Sequence, residues 1–448
     1  MKLLLGDCKE KLKELEDNSI DAIVTDPPYG LSFMGKKWDY DVPSVDIWKE
    51  CLRVLKPGGY LLSFAGTRTQ HRMAVNIEDA GFEIRDMIAW VYGSGFPKSL
   101  NIGKAVDKLQ GNERKIVGTQ KLGGTAATLK GKANRKDWYD QGEGGTYTPE
   151  ISITQGTSEW EGWGTALKPA LEPISVCRKP LEKGLNIAQN CLKWGVGGIN
   201  IDGCRVEIDP IADASQLRTM NRSAKEEKNG WGMNQNAGDI PQVVSHTGRF
   251  PANLIHDGSD EVVGLFPNSK STGGSGKASM KTAPNDIYGS YKEGYKSANL
   301  GGLGDSGSAS RFFYCAKASK RERNIGCEGL EERLKAGTEF RPSYLERFEE
   351  TGENGSPRAR FGKMQNNHPT VKPIALMEYL VKLVSREGQV VLDPFMGSGT
   401  TGMACKRLGR EFIGIEMMPE YMEIAKARID GVKESKQLEQ LNLLKDNK

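Results

Sequence analysis

Four consecutive residues, Asp26-Pro27-Pro28-Tyr29, place a carboxylate, two conformationally fixed prolines and an aromatic ring side by side. The carboxylate and the Pro27 carbonyl can both accept hydrogen bonds from the N–H protons of an amino group, which draws electron density onto the nitrogen and directs its lone pair at an electrophile. The tyrosine ring supplies a stacking face for a planar base. Together these suit alkylation of an exocyclic amine. A proline turn with a packed tyrosine would use the same residues, so the tetrapeptide gains weight only beside a second feature.

That feature is Asp393-Pro394-Phe395-Met396-Gly397-Ser398-Gly399-Thr400-Thr401. The glycines let backbone approach a ligand closely, and a helix starting there offers free N–H groups. Glu416 follows about 20 residues on, where an acidic side chain can accept hydrogen bonds from both hydroxyls of a ribose. A Walker-type phosphate loop is excluded, because no lysine follows the last glycine. A tight strand-to-helix turn is the plainer alternative, and the acidic residues at both strand ends weigh against it.

Both motifs sit at strand ends. Ile20–Thr25 is a β-branched run ended by the prolines. Residues 46–56 have helical spacing and stop at Pro57-Gly58-Gly59, Tyr60–Ala65 reads as a buried strand, a polar helix runs through about 79, and a strand spans Phe82–Val91. Towards the other end, 374–386 is an amphipathic helix and Gln389–Asp393 a strand. The Gly-Ser-Gly turn opens a helix through Leu408, Glu411–Glu416 is the next strand, and the last helix runs from Pro419 to about Ile429. This alternation predicts an α/β fold with a mainly parallel sheet.

The middle differs: 35 of the 54 glycines fall between 101 and 340. Poor periodicity at 111–165 and 270–310 predicts long loops. The chain has 448 residues, 27% of them charged and 37% hydrophobic, which excludes collagen, coiled coil and wholesale disorder. The net charge of +4 permits a nucleic-acid partner without requiring one. The eight cysteines form no CxxC pair and do not cluster with the four histidines, so neither a structural zinc site nor a disulfide framework is expected. No run approaches the ~18 apolar residues of a membrane helix. Met1-Lys2-Leu3-Leu4-Leu5-Gly6-Asp7 turns to charge too early for a signal sequence, so a cytoplasmic protein is expected.

The two motifs resemble those of the amino-group DNA methyltransferases that use S-adenosylmethionine. Asp26–Tyr29 looks like their catalytic motif and Asp393–Thr400 like their cofactor loop; His368-Pro369-Thr370-Val371-Lys372-Pro373 resembles the segment that helps hold the methionine part, and Gly6-Asp7 the acidic turn beside the adenine. The order, catalytic motif first and cofactor motif last, matches the beta class, a circular arrangement of the Rossmann-like fold. Lys56–Gly59, Gly95–Lys98, Leu167–Pro173 and Arg311–Tyr314 resemble stretches of bacteriophage and prophage members.

The resemblance implies S-adenosylmethionine as methyl donor, no metal, and sequence-specific methylation of a flipped base in double-stranded DNA. Asp at the first motif position leans towards adenine N6, with cytosine N4 as the alternative. An RNA or protein amine methyltransferase and a silent DNA-binding module are the competing readings. The site residues implied are Asp26, Pro27, Pro28 and Tyr29 for catalysis. Those implied for the cofactor are Asp7, His368, Thr370, Lys372, Asp393, Pro394, Phe395, Gly397, Ser398, Gly399, Thr400 and Glu416. Family members are often dimers, and a cognate nuclease would be a separate protein.

The implied layout is a catalytic half at 1–100, a loop-rich insertion at 101–164 and a return to the sheet at 165–185. A target recognition region at 186–309, a cofactor-binding half at 310–432 and a charged tail at 433–448 complete it. Trp194, Arg205, Trp231, Arg249 and Phe250 are candidates for base or phosphate contact, with core roles for Trp194 and Phe250 equally open. Lys317, Lys320, Arg321 and Arg323 are a basic run that could meet the DNA backbone or form a solvated face. His71, His246 and His256 are expected to be structural or exposed.

Overall fold

Alternation along the strands divides their side chains between two faces. Ile20, Ile23, Leu61, Leu392 and Ile415 enter one buried cluster, while Ala22, Val24, Leu62, Val391 and Phe412 enter another. The structure, a computed structural model, describes residues 1–31, 40–93, 95, 99–121, 150–207, 248–270, 306–316, 322–334 and 363–432. Its centre is a nine-stranded sheet. In chain order the strands are β1 (Lys2–Leu5), β2 (Ile20–Thr25), β3 (Leu55–Phe64), β4 (Glu83–Val91), β5 (Leu171–Arg178), β6 (Leu254–His256), β7 (Tyr314–Cys315), β8 (Val390–Asp393) and β9 (Glu411–Glu416). Across the sheet they lie in the order β1-β9-β8-β2-β3-β5-β4-β6-β7. Only β5 runs antiparallel to its neighbours.

Helices cover both faces. On one lie α1 (Val45–Val54), burying Trp48, Cys51 and Val54, and α2 (Gln70–Asp79), burying Met73 and Ile77. Two further helices follow in sequence, α3 (Ile102–Gln110) and α4 (Ile187–Trp194). The other face carries α5 (Ile374–Val384), which buries eight of its eleven residues, and α6 (Thr400–Arg407). The last helix, α7 (Pro419–Gly431), adds Ala425 and Ile429 to that core. No helix of the described residues is long and apolar enough to cross a membrane.

The expected elements are present with shifted ends. Helix α1 stops at Val54 and β3 begins at once at Leu55, running through Pro57-Gly58-Gly59 rather than starting after it. Gly58 has φ +81°, and the pairing with β2 is irregular between Ile20 and Ala22, so a bulge absorbs the proline. The stretch expected to be loops at 111–165 instead contains an antiparallel hairpin, Lys115–Lys121 on Glu150–Gln155. Its arms are polar and far apart in sequence, which leaves no local periodicity to read.

The expected recognition stretch also holds parts of the main fold. Strand β6 pairs with β4 and β7, and Asn190 of α4 donates to the Pro57 carbonyl within β3. Glycine content alone does not mark where the sheet stops. Within 165–185, Leu171–Arg178 forms β5 of the central sheet.

The strand order positions the site. From β2 the chain passes through α1 to β3, whereas from β8 it passes through α6 to β9 on the opposite side. Connections therefore diverge between β2 and β8, and a crevice opens at the carboxyl ends of those two strands. Asp26 follows β2 and Pro394 follows β8.

Candidate active site

The loop after β8 is built around a buried carboxylate. Asp393 accepts from Thr25 Oγ1 at 2.6 Å, from Thr401 Oγ1 at 2.6 Å and from the Phe395 N–H at 3.1 Å. It thereby ties β2, the loop and the first turn of α6 together. Burial pushes its carboxyl up to about 6, against the three donors that favour its charged form. Gly397 and Gly399 both lie in the left-handed region, at φ +54° and +79°. A Cβ at Gly397 would stand 2.9 Å from His368 Nε2, and one at Gly399 would stand 3.0 Å from the Ala425 backbone.

Glu416 ends β9 beside this loop. Its Oε2 accepts from the Gly397 N–H at 2.9 Å and its Oε1 from the Met418 N–H at 2.8 Å, so one oxygen shapes each wall. Burial holds its carboxyl up at about 7. Two backbone donors do not exhaust the lone pairs of a carboxylate. Asp7 caps the helical turn after β1, accepting from the Lys9 N–H at 2.9 Å, and Gly6 donates to the Glu416 carbonyl at 2.9 Å. The His368 ring meets the Tyr421 ring edge-on at 4.6 Å and bonds the Thr370 carbonyl through Nδ1. Burial drives His368 down to about 4, leaving it neutral near pH 7.

Behind the loop lies Arg428 of α7, fully buried. One guanidinium nitrogen donates to the Ser398 carbonyl (2.6 Å), Ser398 Oγ (2.9 Å) and Thr400 Oγ1 (3.0 Å), and the other to the Glu322 carbonyl (3.1 Å). Burial lowers it to about 10, so it stays charged near neutrality.

The second half of the site centres on Asp26. Its Oδ1 accepts from the Tyr29 hydroxyl at 2.7 Å and its Oδ2 from Lys372 Nζ at 2.8 Å. Lys372 also contacts Glu172 Oε2 at 3.0 Å and the Tyr29 hydroxyl at 3.1 Å. Its ammonium lies 4.9 Å from the Phe64 ring centre and 5.4 Å from that of Tyr29. Burial opposes the charge of Lys372, but Asp26 and Glu172 outweigh it and hold the ammonium above the usual lysine range. Burial first, then the same two carboxylates, keeps the Tyr29 phenol well above its ordinary value. Gly66, just beyond β3, makes room for the Tyr29 ring: a Cβ there would lie 3.2 Å from its Cδ2.

Of the sixteen residues expected from the sequence, fifteen line one cleft of about 1250 Å³. The exception is Gly399, which caps α6 just behind the lining. Pro27, Pro28, Pro394 and Phe395 line it through the two motif loops, with Phe395 also packed on Trp48 at 6.2 Å. Lys372, expected to help hold the methionine part, lines this cleft and binds Asp26.

Glu172, Tyr92 and Arg428 were not among the expected site residues. Glu172 lies in a stretch expected to return to the sheet and to resemble phage members, with no site role of its own, and its position opposite Asp26 depends on β5 running backwards through the sheet. Arg428 looks in sequence like one more charge on a surface helix. Arg323, one of the basic run left open between DNA contact and a solvated face, donates to the carbonyls of Asn366 and His368. Trp194 donates to Glu182 at 2.6 Å, Arg205 pairs with Asp202, and Arg249 lies over the Phe312 ring, while Phe250 is exposed. Lys317, Lys320, Arg321 and Trp231 lie outside the described residues.

A divergent-strand crevice in an α/β sheet thus holds a glycine turn and an acidic strand end on one side and an Asp-Pro-Pro-Tyr carboxylate on the other. The sequence profile of the N6/N4 DNA methylases matches residues 20–258 and 275–427, and the chain belongs to this DNA methylase family. Among curated relatives, it is 34% identical over 128 residues to the Type II methyltransferase M2.DpnII of Streptococcus pneumoniae, covering 29% of this chain and 44% of that protein. It is 52% identical over 69 residues to the Type II methyltransferase M.HpaI of Haemophilus parainfluenzae, covering 15% and 22%. The matched segments thus span less than half the length of these relatives. The solved structure of M1.HpyAVI with SAM aligns over 96% of this chain and 98% of that one, at 16% identity and a TM-score of 0.36.

Proposed function

We propose that this chain transfers a methyl group from S-adenosylmethionine to the exocyclic amine of a base flipped out of duplex DNA, adenine N6 in the first instance. The observation that carries the reading is that Asp26–Tyr29 and the Asp393–Glu416 loop open into the same cleft in a chain of the N6/N4 DNA methylase family. The cofactor's chemistry fits the donor set. Asp7, Asp393 and Glu416 surround the loop half, and among the described lining residues the basic ones are Arg68, Lys168 and Lys372. A phosphorylated nucleotide would meet carboxylates there, whereas ribose hydroxyls would find acceptors in Glu416. The cofactor, when bound, supplies an electrophilic methyl group on a sulfonium.

This chain's residues do the rest. The glycine turn with Glu416 and Asp7 orients the nucleoside end, and His368, packed against Gly397, and Thr370 line the same cleft. Tyr29 offers its ring to the flipped base, whose extrusion costs a few kcal/mol. Asp26 and the Pro27 carbonyl accept hydrogen bonds from the amine N–H groups and hold the nitrogen in line with the methyl group. Alignment of this kind is worth much of the barrier, up to about 7–11 kcal/mol in well-oriented systems. The site-specific character follows that of Type II methyltransferases, and the cytoplasm, which holds both DNA and cofactor, is the compartment assigned. A catalytic domain carrying a recognition region between its halves, acting on double-stranded DNA as a monomer or dimer, completes the reading.

The test is mass spectrometry of nucleosides from unmethylated plasmid incubated with the protein and S-adenosylmethionine. N6-methyladenine is the expected product. N4-methylcytosine would keep the mechanism and change the base. No methylated nucleoside across plasmids of varied sequence would refute the assignment and favour an RNA or protein substrate or a silent binder.

A further inference from the structure

A buried ammonium needs acceptors for all three of its N–H groups. Lys372 has three: Asp26 Oδ2 at 2.8 Å, Glu172 Oε2 at 3.0 Å and the Tyr29 hydroxyl at 3.1 Å. The two carboxylates come from different elements, Asp26 from the loop after β2 and Glu172 from the reversed strand β5. One cation needs only one of them for neutrality. The second carboxylate matters once a target amine arrives, because the amine must take Asp26 acceptor positions now held by Lys372 and Tyr29.

We propose that Glu172 is a positioning residue that holds Lys372 and Tyr29 in place while Asp26 turns its carboxylate to the target amine. The proposal rests on the amine-methylation reading given above and extends it to a residue outside the Asp-Pro-Pro-Tyr motif. With Asp26 as the only counter-ion, an incoming amine would have to strip a buried cation of its partner. With Glu172 present, Lys372 keeps a carboxylate throughout. The Tyr29 hydroxyl bridges in the same way, 2.7 Å from Asp26 Oδ1 and 3.1 Å from Glu172 Oε2, so the ring stays oriented for stacking when Asp26 shifts. Glu172 is itself braced from β4, since the Tyr92 hydroxyl donates to its Oε1 at 3.3 Å. Among the described residues, the charged and titratable groups facing Glu172 are Lys372, Tyr29, Tyr92 and, across Lys372, Asp26.

The experiment compares Glu172→Gln, which keeps shape without charge, with Glu172→Asp, which keeps charge in a shorter side chain. Steady-state methylation of duplex DNA is the readout, and cofactor binding is measured by calorimetry. The expected result is a fall in kcat of about tenfold or more for Glu172→Gln, with the cofactor Kd within about twofold of wild type and substantial recovery in Glu172→Asp. Near wild-type kcat in Glu172→Gln, or Gln outperforming Asp, would overturn the charge-based role.

Should Glu172→Gln fold poorly, the double variant with Lys372→Met removes both charges. If Glu172 acts through Lys372, Glu172→Gln adds little to the loss already caused by Lys372→Met, whereas independent, additive losses overturn the proposal. Wild-type transfer to DNA is the control that separates the two levels: its absence sinks the activity reading, and transfer with an indifferent Glu172→Gln sinks only the role of Glu172.

Discussion

Asp26 has both oxygens engaged before any substrate arrives, and that fixes what its removal will do. In Asp26→Ala, Lys372 retains Glu172 and Tyr29, so the buried cation is still compensated and the fold survives. The loop proposed to hold the cofactor depends on Asp393 and Glu416 instead. The variant should therefore lose methyl transfer by about 10²–10⁴-fold or more while binding S-adenosylmethionine within about twofold of wild type. Transfer at near wild-type rate would show that the wrong carboxylate has been chosen. Glu416 gives a second expectation at this scale. Burial raises its carboxyl to about 7, so ionising it costs the folded state, and its contribution to stability is lost as pH rises from the ordinary carboxylate range through 7. The ionised form is the better hydroxyl acceptor. Cofactor affinity measured by calorimetry should thus rise between pH 6 and 8, by up to about tenfold for one titrating group, and Glu416→Gln should flatten the rise. An unchanged pH profile in that variant would remove Glu416 from cofactor recognition. Both residues could be read from the sequence, because each ends an apolar run in a motif. The role of Lys372 could not, since its partners lie more than 190 residues away in the chain.

At the scale of elements, the turn between β8 and α6 keeps its shape because three other elements hold it. Thr25 comes from β2, Glu416 from β9 and Arg428 from α7. Strand and helix periodicity made β2, β8, β9 and α5 legible, since a two-sided sheet demands apolar runs and a covering helix demands an apolar stripe. Periodicity says nothing about which polar side chain points inward, and Arg428 is the clearest loss. In Arg428→Leu the Ser398 carbonyl and hydroxyl and the Thr400 hydroxyl lose a charged donor in a buried setting, at roughly 1.5–3 kcal/mol for a hydrogen bond to a charged group. The melting temperature should fall by several degrees and cofactor affinity by tenfold or more. A loss of stability with cofactor affinity intact would confine Arg428 to the packing of α7. Gly397→Ala should lose cofactor binding more selectively, because φ +54° strains any L side chain and the added carbon meets His368 at 2.9 Å.

For the whole molecule, the proposed function makes the sign of charge in the cleft decide how DNA can approach. Asp7, Asp26, Glu172, Asp393 and Glu416 line its floor and walls, against Arg68, Lys168 and Lys372, and Lys372 is already committed to two carboxylates. A phosphate backbone cannot lie there favourably, but an uncharged base can enter. On that reading the chain's net charge of +4 acts on the duplex from other surfaces. That division argues for extrusion of a single base, and extrusion has an energetic signature. Unpairing and unstacking cost a few kcal/mol in a matched duplex and less where the target is mispaired. Once the recognition sequence is known, a duplex with a mismatch opposite the target base should bind about tenfold or more tighter than the matched one, and 2-aminopurine at the target position should brighten on binding. The gain should persist in Asp26→Ala, because pairing energy is released before chemistry begins. Equal affinity for matched and mismatched duplexes, with no change in 2-aminopurine emission, would mean that the base is reached without leaving the stack, which a cleft closed by Tyr29 and Asp26 on one side and the glycine turn on the other does not allow.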